Sequence, residues 1–439
     1  MTAGAFIEEE RKSLSESHSS IPIPAGATFL RKLIAFSGPG YLVAVGYMDP
    51  GNWATDLAGG AQFGYALLFV ILVSNLMAIL LQHLALKLGI ATGKDLAQAC
   101  HDNYSKPVRL ILWFMAEIMI IACDLAEVIG SAIALNLLLN IPLAIGVVVT
   151  AADVLLILML QKKGFRYLEA FVIALVATIT AAFGLEIFLS RPEIIPLVSG
   201  FIPDIKVLGN PDALYIALGI IGATVMPHNL FLHSSVVQTR QYSRDSAGKK
   251  EAIKFSTIDT VIALTFAFFV NAAILIVSAS VFHFSGNSDV ADIDVAYELL
   301  TPLLGTSVAS LVFALALLAS GQNSTLTGTL TGQIIMEGFL NLKMVAWLRR
   351  IITRLLAIVP ALAVILFFQD FGVGKLLILS QVILSLQLPF AIVPLVMFTS
   401  NRERMGEFTN ALWLKIVAYV ITVSIVVLNV WLIYNLFFG

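Results

Sequence analysis

The chain has 439 residues, of which 59% are hydrophobic and only 12% charged, and its formal net charge is −2. A soluble chain of this length cannot bury so much apolar surface, so the composition reads as a polytopic membrane protein. The near-neutral charge argues against a nucleic-acid partner, and two cysteines, Cys100 and Cys123, are too few for a disulfide framework.

Residues 1–37 form a polar tail. Glu8-Glu9-Glu10-Arg11-Lys12 and the serine-rich stretch after it lack the apolar core of a signal peptide and predict a disordered cytoplasmic segment. Eleven apolar spans follow, at roughly 38–58, 65–90, 108–134, 138–160, 167–189, 212–237, 258–283, 299–327, 350–368, 374–399 and 411–437. Their length excludes alternating barrel strands. With the N-terminus inside, all of the 26 lysines and arginines except Arg191, Lys206 and Lys375 fall on the cytoplasmic side. The odd count then places the short C-terminus outside. No loop is long enough for a soluble domain; the inner loop 240–257 is basic and reads as an amphipathic or irregular connector.

Span 1 is interrupted by Asp49-Pro50-Gly51-Asn52. Pro50 has no amide hydrogen and its ring clashes with the carbonyl four residues back, so it frees the carbonyl of Gly46. In hydrocarbon, such a break persists only where it lines a protein-enclosed cavity. Asp49 lies mid-membrane, where a carboxylate is costly unless a cation or a proton relieves it. It could also cap the second half-helix, as could Asn52.

Span 3 carries Glu117, Asp124 and Glu127, whose spacings place them on one helical face directed at the bundle or a wet cavity. Arg240, at the end of span 6, and Arg349, Arg350 and Arg354, around the start of span 9, can supply counter-charges. A relay of this kind would let a proton leave toward the cytoplasm; a static buried ion-pair network is the competing reading.

Span 6 is interrupted by Met226-Pro227-His228-Asn229, and Pro227 frees the carbonyl of Ala223. The two breaks lie five spans apart. An odd number of spans per repeat forces opposite orientations, which points to two inverted halves, 38–189 and 212–399, with 411–439 appended. Aligned on proline, Asp49 matches Met226 and Asn52 matches Asn229. A thioether adds little for Mg²⁺ or Ca²⁺ but suits Mn²⁺, Fe²⁺, Co²⁺ and Cd²⁺. The expected ligands are therefore the side chains of Asp49, Asn52 and Met226 with the carbonyls of Gly46 or Ala223. His228 and His233, five residues apart, do not share a helical face, so they form no paired metal-ligand motif and no His-Glu-x-x-His protease pattern. His228 reads as tuning protonation beside the break.

The paired Asp-Pro-Gly-Asn and Met-Pro-His-Asn motifs resemble the signature of NRAMP divalent-metal transporters, proton-coupled symporters of the LeuT-type fold. The resemblance covers essentially the whole membrane region, including Gly130-Ser131-Ala132 in span 3 and Ser385-Leu386-Gln387-Leu388-Pro389-Phe390 in span 10. It implies an all-α polytopic protein with a 5+5 inverted repeat and discontinuous helices 1 and 6. It carries the family's metal ligands onto Asp49, Asn52, Ala223 and Met226, with Gln381 joining in some states and Gly46 standing where some relatives have Ala. It also favours the proton relay, and a preference for transition metals, because Met226 is retained.

These observations predict a proton-coupled importer of divalent transition metals in a prokaryotic plasma membrane, working by alternating access without a resident cofactor or an obligate protein partner. With no ATP-binding motif, an ion gradient must drive it. The rivals are a sodium-coupled organic-solute symporter of the same fold, an uncoupled metal channel and a membrane-embedded enzyme, although no catalytic constellation is evident.

Overall fold

A computed structural model describes residues 13–15, 17–24, 26–152, 164–204, 209–286, 293–304, 307–341, 346–367 and 372–438. The charged stretch 8–12 and the second half of span 4 lie outside them. The described chain is almost entirely helical, and eight segments among the described residues are long and apolar enough to cross a membrane. The expected count of eleven is not reached on that measure. Span 1 is cut into Pro39–Gly46 (span 1a) and Pro50–Phe63 (span 1b), span 4 is described only as far as Ala152, and the apolar part of span 9 is the short stretch Arg354–Leu366.

Three expectations are corrected. The tail is ordered from Ser13: Ile21–Pro22 forms a parallel two-residue bridge with Arg240–Gln241, and Phe29–Phe36 is an amphipathic helix packed on span 7. Span 8 begins later than its apolar run suggests. Residues Ile293–Leu304 form a separate helix, buried through Ile293, Ala296 and Leu300, and the long helix runs from Ser307 to Leu340. Hydropathy merges the two because both are apolar. The connector expected over 240–257 is also shorter, since span 7 starts at Ser246, where the Asp245 carboxylate accepts from the Gly248 N–H.

The broken spans sit at the centre. Span 7 (Ser246–Val281) packs on both halves of span 1 and on span 2 (Leu68–Thr92), and the first half of span 6 (Pro211–Val225, span 6a) packs on span 10 (Val373–Ser400). Span 3 (Lys106–Leu139) packs on spans 8 and 10, and the second half of span 6 (Pro227–Val236, span 6b) on span 2. Trp53 pins span 1b between Phe183 and Phe313, with ring centroids 4.8 and 5.1 Å away in edge-on geometry. The outer spans are the reverse of a soluble fold. Span 11 (Leu412–Phe438) exposes Leu412, Trp413, Ile416, Val420, Val423 and Val427, a surface suited to lipid.

Candidate metal site at the two helix breaks

At the first break the helix tightens before it ends. The N–H groups of Tyr47, Met48 and Asp49 donate to the carbonyls three residues back, those of Ala44, Val45 and Gly46. The Gly46 carbonyl is thus not left bare, contrary to the expectation from Pro50 alone, because the turn closes to a three-residue spacing instead of opening. Asp49 then caps span 1b: its Oδ1 accepts from the Asn52 N–H at 2.7 Å. Its other oxygen, Oδ2, is buried and has no hydrogen-bond partner. Capping and cation binding are therefore compatible, one oxygen for each.

The second break is strained. Met226 stands at φ 38° and ψ 97°, a left-handed conformation costly for a residue with a side chain, and such outliers cluster at functional sites. Pro227 has no N–H to give the Ala223 carbonyl, and the Met226 N–H goes to Gly222 instead. Asn229 lies one turn on. Its Nδ2 donates to the Val43 carbonyl at 3.2 Å and lies 3.5 Å from Met226 Sδ.

Two glycines let these groups converge. A methyl at Gly46 would overlap the Asn229 amide and come within 3.1 Å of Met226 Sδ, so the sulfur rests on the end of span 1a. A methyl at Gly51 would overlap the Gln381 amide, which places span 10 against the start of span 1b. Gln381 Nε2 donates to Ser380 Oγ at 3.0 Å.

The oxygens are what set this place apart. Asp49 Oδ2, Asn52 Oδ1, Asn229 Oδ1 and Gln381 Oε1 are all buried without a hydrogen-bond partner, although buried polar atoms are nearly always paired. Each is an acceptor, which a cation satisfies and a donor-rich ligand would not require. Asn229 was not singled out as a ligand from the sequence; its match to Asn52 about the two prolines was the available signal. Among the described residues no group of three or more His, Cys, Asp or Glu side chains is arranged to hold a metal ion. The set gathered here is one carboxylate, three amides and a thioether, whose low charge suits an ion that must leave again.

The expected proton groups do not form a single cluster. His228 Nε2 lies 3.7 Å from Cys123 Sγ, and that thiol donates to Glu127 Oε1 at 3.4 Å. Arg354 Nη1 lies 3.4 Å from Glu127 Oε2 and 3.8 Å from Asp124 Oδ1, and its Nη2 donates to Thr325 Oγ1. A buried line thus runs from the second break through Cys123 to an ion-paired cluster. The Cys123 sulfur is its connecting atom. Glu117 lies two turns away, half-buried, and accepts from Trp113. The side chains of Arg349 and Arg350 lie outside the described residues.

Arg240 does not face span 3. It is buried and bonded to Glu169 of span 5 at 2.5 Å and to the Ser37 carbonyl at 2.6 Å. Spans 3 and 6 meet through His228, directly after Pro227, while Arg240 lies at the far end of span 6 beside span 5. His233 likewise belongs elsewhere: Nδ1 lies 2.9 Å from Gln82 Oε1, and Gln82 Nε2 donates to the Tyr47 hydroxyl, which donates to the Val225 carbonyl.

The chain is similar to known proteins over almost its full length. The family model described as natural resistance-associated macrophage protein-like matches residues 40–435. The divalent metal cation transporter MntH of a Nostoc species is 61% identical over 431 residues, covering 98% of each chain. MntH of Listeria welshimeri is 60% identical over 422 residues, 96% of this chain and 94% of the relative. The manganese transporter of Eremococcus coleocola, solved with an aromatic bis-isothiourea compound, superimposes with a TM-score of 0.87 at 43% identity, over 95% of this chain and 90% of that one. The nucleobase-cation symporter Mhp1 shares the fold, with a TM-score of 0.60 at 16% identity over 88% of this chain and 82% of its own. Paired helix breaks, their unbonded oxygens and this extent of identity together place the chain in the Nramp family, as a multi-pass membrane protein of the LeuT-type fold.

Proposed function

We propose that the protein imports divalent transition metal ions, Mn²⁺ and Fe²⁺ among them, coupled to protons, by alternating access between two inverted halves, 38–189 and 212–399. The observation that carries this reading is the set of four unpartnered buried oxygens beside the Met226 thioether. Asp49 Oδ2, Asn52 Oδ1 and Met226 Sδ bind the ion, with the Ala223 carbonyl and Gln381 Oε1 completing the shell as the halves move. The Gly46 carbonyl, already accepting from Asp49, is the weakest member of the set. Relatives named as manganese and divalent metal transporters support the choice of cargo.

Proton transfer follows from the same geometry. A metal and a proton compete for Asp49 Oδ2, since Oδ1 is held by Asn52. His228, Cys123 and Glu127 form the line by which a displaced proton reaches the Arg354 cluster. The basic loops and the tail lie on the cytoplasmic side of a prokaryotic plasma membrane, and the C-terminus outside.

The test is Mn²⁺ uptake into proteoliposomes with and without an inward proton gradient. Acid-stimulated uptake, abolished by Asp49→Ala, is the expected result. Uptake indifferent to the gradient would leave an uncoupled carrier or channel, and sodium-dependent uptake of an organic solute instead would overturn the reading.

A further inference from the structure

The tail-side ends of the broken spans are closed by a segment no part of the proposed transport cycle has used. Every residue from Pro227 to Arg240 is buried, and the described residues between 13 and 24 contact its last part, from Ser235 onward. The Ser13 hydroxyl lies 2.6 Å from that of Ser235, and Ser13 also hydrogen-bonds the carboxylate of Asp95, the cap of the short helix after span 2. Leu14 is 6% exposed in an otherwise polar stretch. The Ser19 N–H donates to the Gln238 carbonyl, Ile21–Pro22 pairs with Arg240–Gln241, and Ile23 packs into the cluster of Phe36, Leu86, Ile90 and Val237.

The segment is under tension. Leu14 and Ser19 have φ of 47° and 51°, left-handed conformations that neither residue favours in a free chain, so the docked contacts must hold them there. Its far end is fixed as well. Arg166 and Arg240 both donate to the Ser37 carbonyl, immediately before span 1a. One piece of chain therefore grips the end of span 6 from Ser235 to Gln241 and leads, through the helix Phe29–Phe36, into span 1a.

We propose that residues 13–24 are a strap that clamps spans 1a and 6b together on the tail side and has to lift before the inner path opens. The inference rests on the alternating-access reading, because only a cycle that parts these two half-helices requires the strap to release. It assigns the tail a gating task, set by docking and undocking of its own residues without any ligand.

The test joins strap to span in the full-length chain. Serine oxygens 2.6 Å apart show that the two side chains point at each other, so the pair Ser13→Cys and Ser235→Cys should cross-link on oxidation. The native Cys100 and Cys123 are buried and are retained. Mn²⁺ uptake by the reduced pair reports the transport reading by itself. Oxidation is expected to stop that uptake and reductant to restore it. Unchanged uptake by the cross-linked protein would show that the strap rides with span 6b and would overturn the proposal, as would failure of the pair to cross-link. A second variant removes dependence on the disulfide: in Ser235→Cys alone, Leu14→Asp should raise the rate of maleimide labelling of position 235 by about tenfold, the opening expected from losing one buried leucine contact. An unchanged rate would also overturn the proposal.

Discussion

Asn229 of span 6b donates its amide N–H to the Val43 carbonyl of span 1a, 3.2 Å away, so the two broken spans are bonded to each other beside the site. The same amide nitrogen lies 3.5 Å from Met226 Sδ and so also fixes the sulfur. Asn229→Ala removes a buried acceptor oxygen from the site and strands the Val43 carbonyl. The cost to stability should be about 1–3 kcal/mol, read as a lower thermal midpoint in detergent. Mn²⁺ uptake at limiting metal should fall at least as steeply.

Met226→Ala removes the one soft donor. Mn²⁺ uptake should become readily inhibited by Ca²⁺ and Mg²⁺, with the half-inhibitory concentration falling about tenfold, equivalent to about 1.4 kcal/mol of lost discrimination. Competition assays in proteoliposomes check this; unchanged selectivity would reduce the thioether to a packing group.

Gly130 of span 3 faces the Pro50 ring, and a methyl there would overlap it. The ring is part of the main chain and has no rotamer by which to move aside. Gly130→Ala should therefore destabilise by about 1–3 kcal/mol and displace the start of span 1b, lowering both the thermal midpoint and metal uptake. Gly184→Ala meets open space and serves as the comparison, with neither quantity changed.

Arg354 is 4% exposed and is shared by Glu127 and Asp124. Arg354→Ala leaves two buried carboxylates facing each other, a loss of about 3–5 kcal/mol. Adding Glu127→Gln to that variant should recover part of the stability but not acid-stimulated uptake, since the route from Cys123 is then blocked. Thermal denaturation and uptake at two pH values separate the two effects.

Asp95 caps the short helix Leu96–Asn103 outside the spans, and burial pushes its carboxyl up to about 6 despite bonds from Ser13 and the Gln98 N–H. The folded state therefore holds this proton more tightly than the unfolded one. Its contribution favours the folded form at acid pH and is lost as pH rises from about 4 to about 6, then stays flat. Asp95→Asn keeps a capping side chain and removes the titration. The variant should lose roughly 1–3 kcal/mol of pH dependence in that window, seen as a flatter plot of thermal midpoint against pH than the native chain gives.

The breaks were legible because proline acts locally: Pro50 and Pro227 stop a helix wherever the rest of the chain lies. Asp49, Asn52 and Met226 follow from adjacency to those prolines. Ion-pair partners were less readable, since helical spacing shows which face a residue shares but not which neighbour it meets. Arg240 could have met span 3 and instead meets Glu169, a residue with no sequence signal beyond its charge. Span 8 was misplaced because hydropathy is blind to a turn between two apolar helices. The strap was hidden for the opposite reason, as a polar serine-rich stretch gives no periodic pattern, and its docking depends on a serine and carbonyls at the end of span 6, more than 200 residues away.

The site carries a single carboxylate among neutral donors, and this fixes what the membrane voltage can do under the proposed cycle. A divalent ion bound there leaves one net positive charge on the moving core, and the empty core carries one negative charge if Asp49 is ionised. An inside-negative potential pulls the loaded form inward and also drives the empty, ionised form back outward, by about 2.3 kcal/mol per charge for each 100 mV. Protonating Asp49 would cancel that second charge. An empty core that returned protonated would also carry a proton back out, so import coupled to an inward proton gradient needs the ionised return, which the voltage assists.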